Sequence, residues 1–125
     1  MYRYRTTAST RNALKRFEKH HHKIGYVVRI KGYSWLSKYK DSEGETRSKI
    51  NTGILIVGTT GTMRIEGFAW GYAGEGPRGL KVILENLNVP ADAIVKILAT
   101  DWNGWGKVEE AWSYTFGQPI LAKVA

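Results

Sequence analysis

Thr62-Met-Arg-Ile-Glu-Gly-Phe-Ala-Trp70 runs into Gly71-Tyr-Ala-Gly-Glu-Gly-Pro-Arg-Gly79 and then into Leu80-Lys-Val-Ile-Leu-Glu-Asn-Leu87. The periodicity changes twice along that stretch. In the first piece Met63 and Ile65 alternate with Arg64 and Glu66, the period of two expected of a half-buried strand. In the third, Leu80, Ile83, Leu84 and Leu87 fall at i, i+3, i+4 and i+7, the apolar stripe of a helix lying on a core. Pro77 suits the first turn of that helix, where a missing N–H costs nothing. A strand, a glycine-rich connection and an amphipathic helix in succession point to a mixed fold.

Toward the N-terminus, Thr59-Thr-Gly61 reads as a hairpin turn and residues 46–57 as a strand interrupted at Gly53. The polar turn Asp41-Ser-Glu-Gly-Glu45 separates it from a β-rich stretch over 24–39, in which Gly32 marks a bulge or bend. Three antiparallel strands in a meander are the economical arrangement. Ser9 or Thr10 can cap a short helix through about Lys19, with Leu14 and Phe17 on one face. Residues 1–8 read as an irregular basic tail. Beyond the central stretch, 91–100 reads as a helix with Ala91, Ile94, Val95 and Leu98 on one face. Residues 102–106 read as an aromatic turn, and 107–117 fit a strand or a helix. The expected fold is one α+β domain over residues 1–125. It has an antiparallel sheet of three or four strands with two or three helices packed on one face.

Composition bounds the function. The 125 residues include no cysteine, which excludes disulfides, thiol catalysis and cysteine-based zinc sites. The longest apolar run, Ile54-Leu-Ile-Val57, is far short of a membrane span. No apolar segment follows the first charges as a signal peptide needs, so a cytoplasmic location is expected. Residues 1–50 hold 13 Lys and Arg against four acids, whereas residues 51–125 hold six against seven. The basic field therefore belongs to the first half, and it favours polyanionic partners.

The glycine-rich stretch is the sharpest candidate site. A strand before it and a helix after it is the setting in which backbone N–H groups and the helix dipole hold an anion. Gly74, Gly76 and Gly79 would let a ligand approach the backbone, Arg78 and Lys81 would neutralise phosphate, and Glu75 could hold a ribose hydroxyl. The spacing fits neither a P-loop nor a dinucleotide fingerprint. A tight strand-to-helix connection explains the same glycines without a ligand.

Glu66-Gly-Phe-Ala-Trp-Gly-Tyr-Ala-Gly-Glu-Gly-Pro-Arg-Gly-Leu80 resembles the signature of a family of small uncharacterised bacterial and phage domains. That family carries Phe-x-Trp-Gly-Tyr-Gly-Gly-x-Gly-Pro before a leucine-rich helix. The match spans about 20 of the 125 residues, and Ala73 stands where the family has glycine. The resemblance implies the strand–loop–helix arrangement and a bacterial or phage source, but no reaction. By analogy of type, the small size, the glycine loop and the aromatics are similar to phage proteins that sequester nucleotide immune signals.

Aromatic and basic residues supply the remaining candidates. Tyr72, Trp102 and Trp105 sit where a ring could stack a nucleobase. Arg29, Lys31, Trp35, Lys38, Lys40, Arg47 and Lys49 interleave charge with aromatics, the footprint of a nucleic-acid surface. His20-His-His22 point in different directions on a helix and do not form a metal site. No nucleophile elbow or paired carboxylate supports catalysis. The expected function is non-enzymatic binding of a phosphorylated, nucleotide-like molecule, with no cofactor, through Tyr72, Gly74, Glu75, Gly76, Arg78, Gly79, Lys81, Trp102 and Trp105. A phage-encoded sponge in a bacterial host cell is one form of it. A homo-oligomer is expected from the apolar end at 120–124, and no membrane partner is expected. The alternative is a nucleic-acid-binding protein using the basic first half.

Overall fold

A computed structural model describes residues 2–6, 9–100 and 109–120, with side chains for 9–100, 110–118 and 120. The centre of the fold is the meander of β2 (Val27–Lys40), β3 (Thr46–Gly58) and β4 (Gly61–Glu66). On the outer side of β2 lies β5 (Glu109–Ile120), so β4-β3-β2-β5 is a four-stranded antiparallel sheet. Around it are the helices α1 (Thr10–His20), α2 (Glu75–Asn86) and α3 (Ala91–Leu98), which makes the fold α+β as expected. The described part of the ambiguous segment, from residue 109 on, is thus a strand. Trp112 and Tyr114 pair with Gly32 and Ile30, and their burial decides against the helix-compatible reading.

The expected irregular tail is corrected. Tyr2–Thr6 forms β1, which pairs in parallel with β4 and places Arg3 and Arg5 in register with Thr62 and Arg64. Charge was the wrong guide there. The exposed edge of a six-residue β4 offers unpaired backbone groups, and a neighbouring extended segment satisfies them.

One face of the sheet is buried and carries the core. Ile30, Ile56 and Met63 lie side by side across three strands, and Ile54 sits beside Ile65. Over them pack Ala13 and Phe17 of α1, Leu80, Ile83 and Leu84 of α2, and Ile94 and Ile97 of α3. Gly32 faces this side because Trp112 lies across it: a Cβ there would stand 2.2 Å from the indole Nε1. The β2–β5 register shifts at that point, the irregularity Gly32 was expected to mark. Trp112 in turn meets Trp70 edge to face, with centroids 5.6 Å apart, an arrangement favoured by the ring quadrupoles.

Local chemistry sets the element ends. The Ser9 hydroxyl accepts from the Asn12 N–H at 3.4 Å and caps α1. Asn88, at φ 56, closes α2: its N–H donates to the Glu85 carbonyl, and that of Val89 donates to the Leu84 carbonyl. That pattern satisfies the last helical carbonyls and buries Val89 beside Leu84. Gly53, expected to interrupt a strand, lies inside a continuous β3. Gly67, at φ 107, ends β4 and sends Phe68 and Trp70 into the core.

Candidate functional site

The hairpin of β2 and β3 outruns its neighbours. Pairing of β4 with β3 stops at Glu66–Gly53, and that of β5 with β2 stops at Glu109–Ser34. Residues 35–40 and 46–51 therefore form a two-stranded arm. Its tip is organised by Asp41, whose Oδ1 accepts the N–H of Glu43 and of Glu45, both at 2.9 Å, while Oδ2 takes Arg47 Nε at 2.9 Å. Chiefly through that guanidinium, and then through the backbone N–H groups, the Asp41 carboxyl is held below its ordinary pKa.

At the base of the arm, where β4 ends and β3 continues, the sheet edge opens into a cleft of about 400 Å³. Lys49, Asn51 and Thr52 line it from β3, Glu66 and Gly67 from the end of β4, and Ala69 and Tyr72 from the chain leading to α2. Asn51 Nδ2 donates to Ser37 Oγ at 2.8 Å and to the Lys49 carbonyl at 3.3 Å. Its two amide hydrogens are thereby used inward, leaving the amide oxygen as an acceptor. The Thr52 hydroxyl donates to the Phe68 carbonyl at 2.9 Å and fixes one wall. Tyr72 is half exposed. The cleft thus combines a cation, a carboxylate, amide and hydroxyl acceptors, and an aromatic face.

The glycines of the central stretch do other work than cradling an anion. Gly71, at φ 85, makes the turn, and its N–H donates to the Leu98 carbonyl at 2.9 Å. A Cβ on Gly74 would stand 2.8 Å from the Tyr72 ring, and one on Gly76 2.9 Å from Ala69 Cβ and 3.2 Å from the Tyr72 hydroxyl. These two glycines therefore make room for the tyrosine at the start of α2. Gly79 packs under Phe68 and beside Thr10, where a Cβ would be 2.3 Å from the threonine methyl.

Of the described residues expected to hold a phosphorylated ligand, only Tyr72 lines this cleft. Glu75, Arg78 and Gly79 line a separate groove of about 270 Å³ with Thr10, Arg11, Leu14 and Val82. Lys81 is exposed on α2, and Trp102 and Trp105 lie outside the described residues. Because α2 begins at Glu75, Gly76, Pro77 and Gly79 are helical rather than in a loop. Pro77 removes one of the free N–H donors of the first turn. Glu75 already places a carboxylate at the positive end of the dipole.

The basic set divides as well. Cross-strand register puts Arg29, Lys31 and Trp35 on the open face of the sheet with Arg47 and Lys49, whereas Lys38 and Lys40 fall on the opposite face of the arm. Most cations of the open face are engaged. Lys31 reaches Glu110 at 3.3 Å, Arg47 holds Asp41, Arg29 Nε donates to Thr115 Oγ1 at 2.9 Å, and Arg64 lies 6.0 Å from the Tyr33 ring centroid. Sequence reasoning named Lys49 for a different purpose and missed Asn51, Thr52 and Glu66. The available signal was a polar Asn-Thr pair inside an otherwise apolar strand.

Comparison with known proteins returns no match: no family model, no curated protein and no solved structure aligns with the chain. Among the described residues no helix is long and apolar enough to cross a membrane.

Proposed function

We propose that the protein binds a phosphorylated, nucleotide-like small molecule, and that its seat is the cleft at the base of the arm rather than the N-terminus of α2. The observation that carries this reading is the convergence of Lys49, Asn51, Thr52, Glu66 and Tyr72 on one opening of about 400 Å³, within the range of small-molecule sites. Tyr72 stacks the base, Lys49 takes the phosphate, and Glu66 with the Asn51 amide oxygen accepts from ribose hydroxyls or a base amino group. The role proposed for the cleft is binding rather than catalysis. A sponge that lowers the concentration of a nucleotide signal in a bacterial cell is the concrete form of this reading. A homo-oligomer belongs to it too, although residues 121–124, on which that expectation rests, lie outside the described residues.

A thermal-shift panel of cyclic dinucleotides, ADP-ribose derivatives, NAD and short DNA tests it. A ligand at about 100 times its Kd adds about 2.7 kcal/mol, several degrees for a domain of this size. A shift with a nucleotide that disappears in Tyr72→Ala and Lys49→Ala, and persists in Arg78→Ala, supports the cleft. Loss in Arg78→Ala alone returns the site to the α2 terminus, and no nucleotide shift at all removes the reading.

A further inference from the structure

Most cations on the open face of the sheet lean on a neighbour, whereas α1 gathers cations along one exposed side. Over residues 9–25 the chain has Arg11, Lys15, Arg16, Lys19 and Lys23 against a single acid, Glu18, together with His20, His21 and His22. Arg11, Lys15 and Lys19 recur every four residues and are exposed. They form one row along the helix with a step of about 6 Å. Beside that row runs a groove of about 350 Å³ lined by Asn12, Lys15, Arg16, Lys19 and His20. Neither Lys15 nor Lys19 has an ion-pair partner among the described residues.

The histidine in the groove reports the same field. Its pKa is pushed below the ordinary value first by desolvation and then by the charges of Lys23, Lys19, Arg16 and His22, and none of these groups is an acid. The lower end of the helix is also the negative end of its dipole, which stabilises this concentration of cations in the free protein. The apolar residues of α1 turn toward the core: Ala13 and Phe17 are fully buried in it and Leu14, partly buried, packs against it. The helix therefore has no apolar face to insert into a bilayer, as an interfacial helix requires.

We infer that the exposed side of α1 is a second anion-binding surface, separate from the cleft, which takes the phosphodiester backbone of a nucleic acid. A row of evenly spaced cations beside a polar groove suits a linear polyanion with regularly spaced charges. Cations that meet phosphates without reading base edges give affinity without sequence preference. The inference does not depend on the small-molecule reading, because the two surfaces share no residue.

The test is fluorescence anisotropy with a labelled oligothymidylate and a labelled duplex, each about 20 nucleotides long, across a salt series starting near ~50 mM. Three proteins are compared: wild type, Lys15→Gln with Lys19→Gln, and Arg29→Gln with Lys31→Gln on the sheet, each checked for an unchanged melting curve. Wild type should bind both DNAs. In the α1 variant, affinity should fall about tenfold or more and the salt slope should shrink by about 1.4–1.8, the contribution of two phosphate contacts. The sheet variant should bind like wild type. Equal binding by the α1 variant, loss confined to the sheet variant, or no binding by wild type would each overturn the inference. So would binding to phosphatidylserine vesicles with none to DNA, since that assigns the surface to lipid.

Discussion

The two faces of the sheet use the same strands to opposite ends. On the covered face, missing side chains decide the packing: Gly32 admits Trp112, and Gly79 admits Phe68 and Thr10. On the open face, long charged side chains decide it, most of them leaning on a neighbour, as Lys31 does on Glu110 and Arg64 on Tyr33. The covered face holds the fold's stability, because burial of apolar surface is worth far more than exposed ion pairs. The proposed binding cleft lies at the edge beside the open face.

The largest effect that could break this contrast is in the aromatic pair under the helices. Trp70→Ala removes a fully buried ring that meets Trp112 edge to face, and should cost about 3–5 kcal/mol in urea unfolding. Gly32→Ala should cost about 1–3 kcal/mol, since its Cβ drives the indole out of place. A Gly32→Ala protein as stable as wild type would mean that Trp112 does not lie across the glycine.

A smaller change sharpens the contrast at the boundary between the faces. Gly74 has an extended backbone, at φ 166, so alanine fits its conformation and conflicts only with the Tyr72 ring. Gly74→Ala should leave stability within about 1 kcal/mol of wild type, while weakening nucleotide binding about tenfold by displacing the tyrosine. An unchanged Kd in calorimetry would detach Tyr72 from the ligand.

On the open face itself, Lys31→Gln should change stability by less than about 1 kcal/mol, because its partner Glu110 is exposed. The smallest effect expected is acid loosening of the arm's tip. The Asp41 pKa is lowered in the folded protein, so the carboxylate's contribution is complete above the ordinary Asp range and is lost as pH falls through the folded value. The Glu43 and Glu45 amide resonances should therefore titrate together below that range, and Asp41→Asn should abolish the transition.

The fold was legible wherever one periodicity ruled a segment. The alternation of Met63 and Ile65 gave β4, and the stripe of Leu80, Ile83, Leu84 and Leu87 gave the face of α2. The strand character of β1 was not, because an edge strand separated by only three residues from a helix has no apolar partner in sequence to announce it. The site was half legible for a related reason. The glycine-rich stretch signalled close backbone approach, but what approaches Gly74 and Gly76 is the protein's own Tyr72 and Ala69 rather than a phosphate. Lys49, Asn51 and Thr52 join Tyr72 only because β4 stops short of β3, and that difference in strand length has no local sequence mark.

The most direct test of the account is a two-dimensional amide NMR titration with whichever nucleotide gives the largest thermal shift. The account predicts that the perturbed resonances fall on residues 49–52 and 66–72, including the Asn51 side-chain amide, with residues 75–79 following only through Tyr72. Perturbations centred on Glu75, Arg78 and Arg11, with the cleft silent, would contradict it and place the ligand at the start of α2.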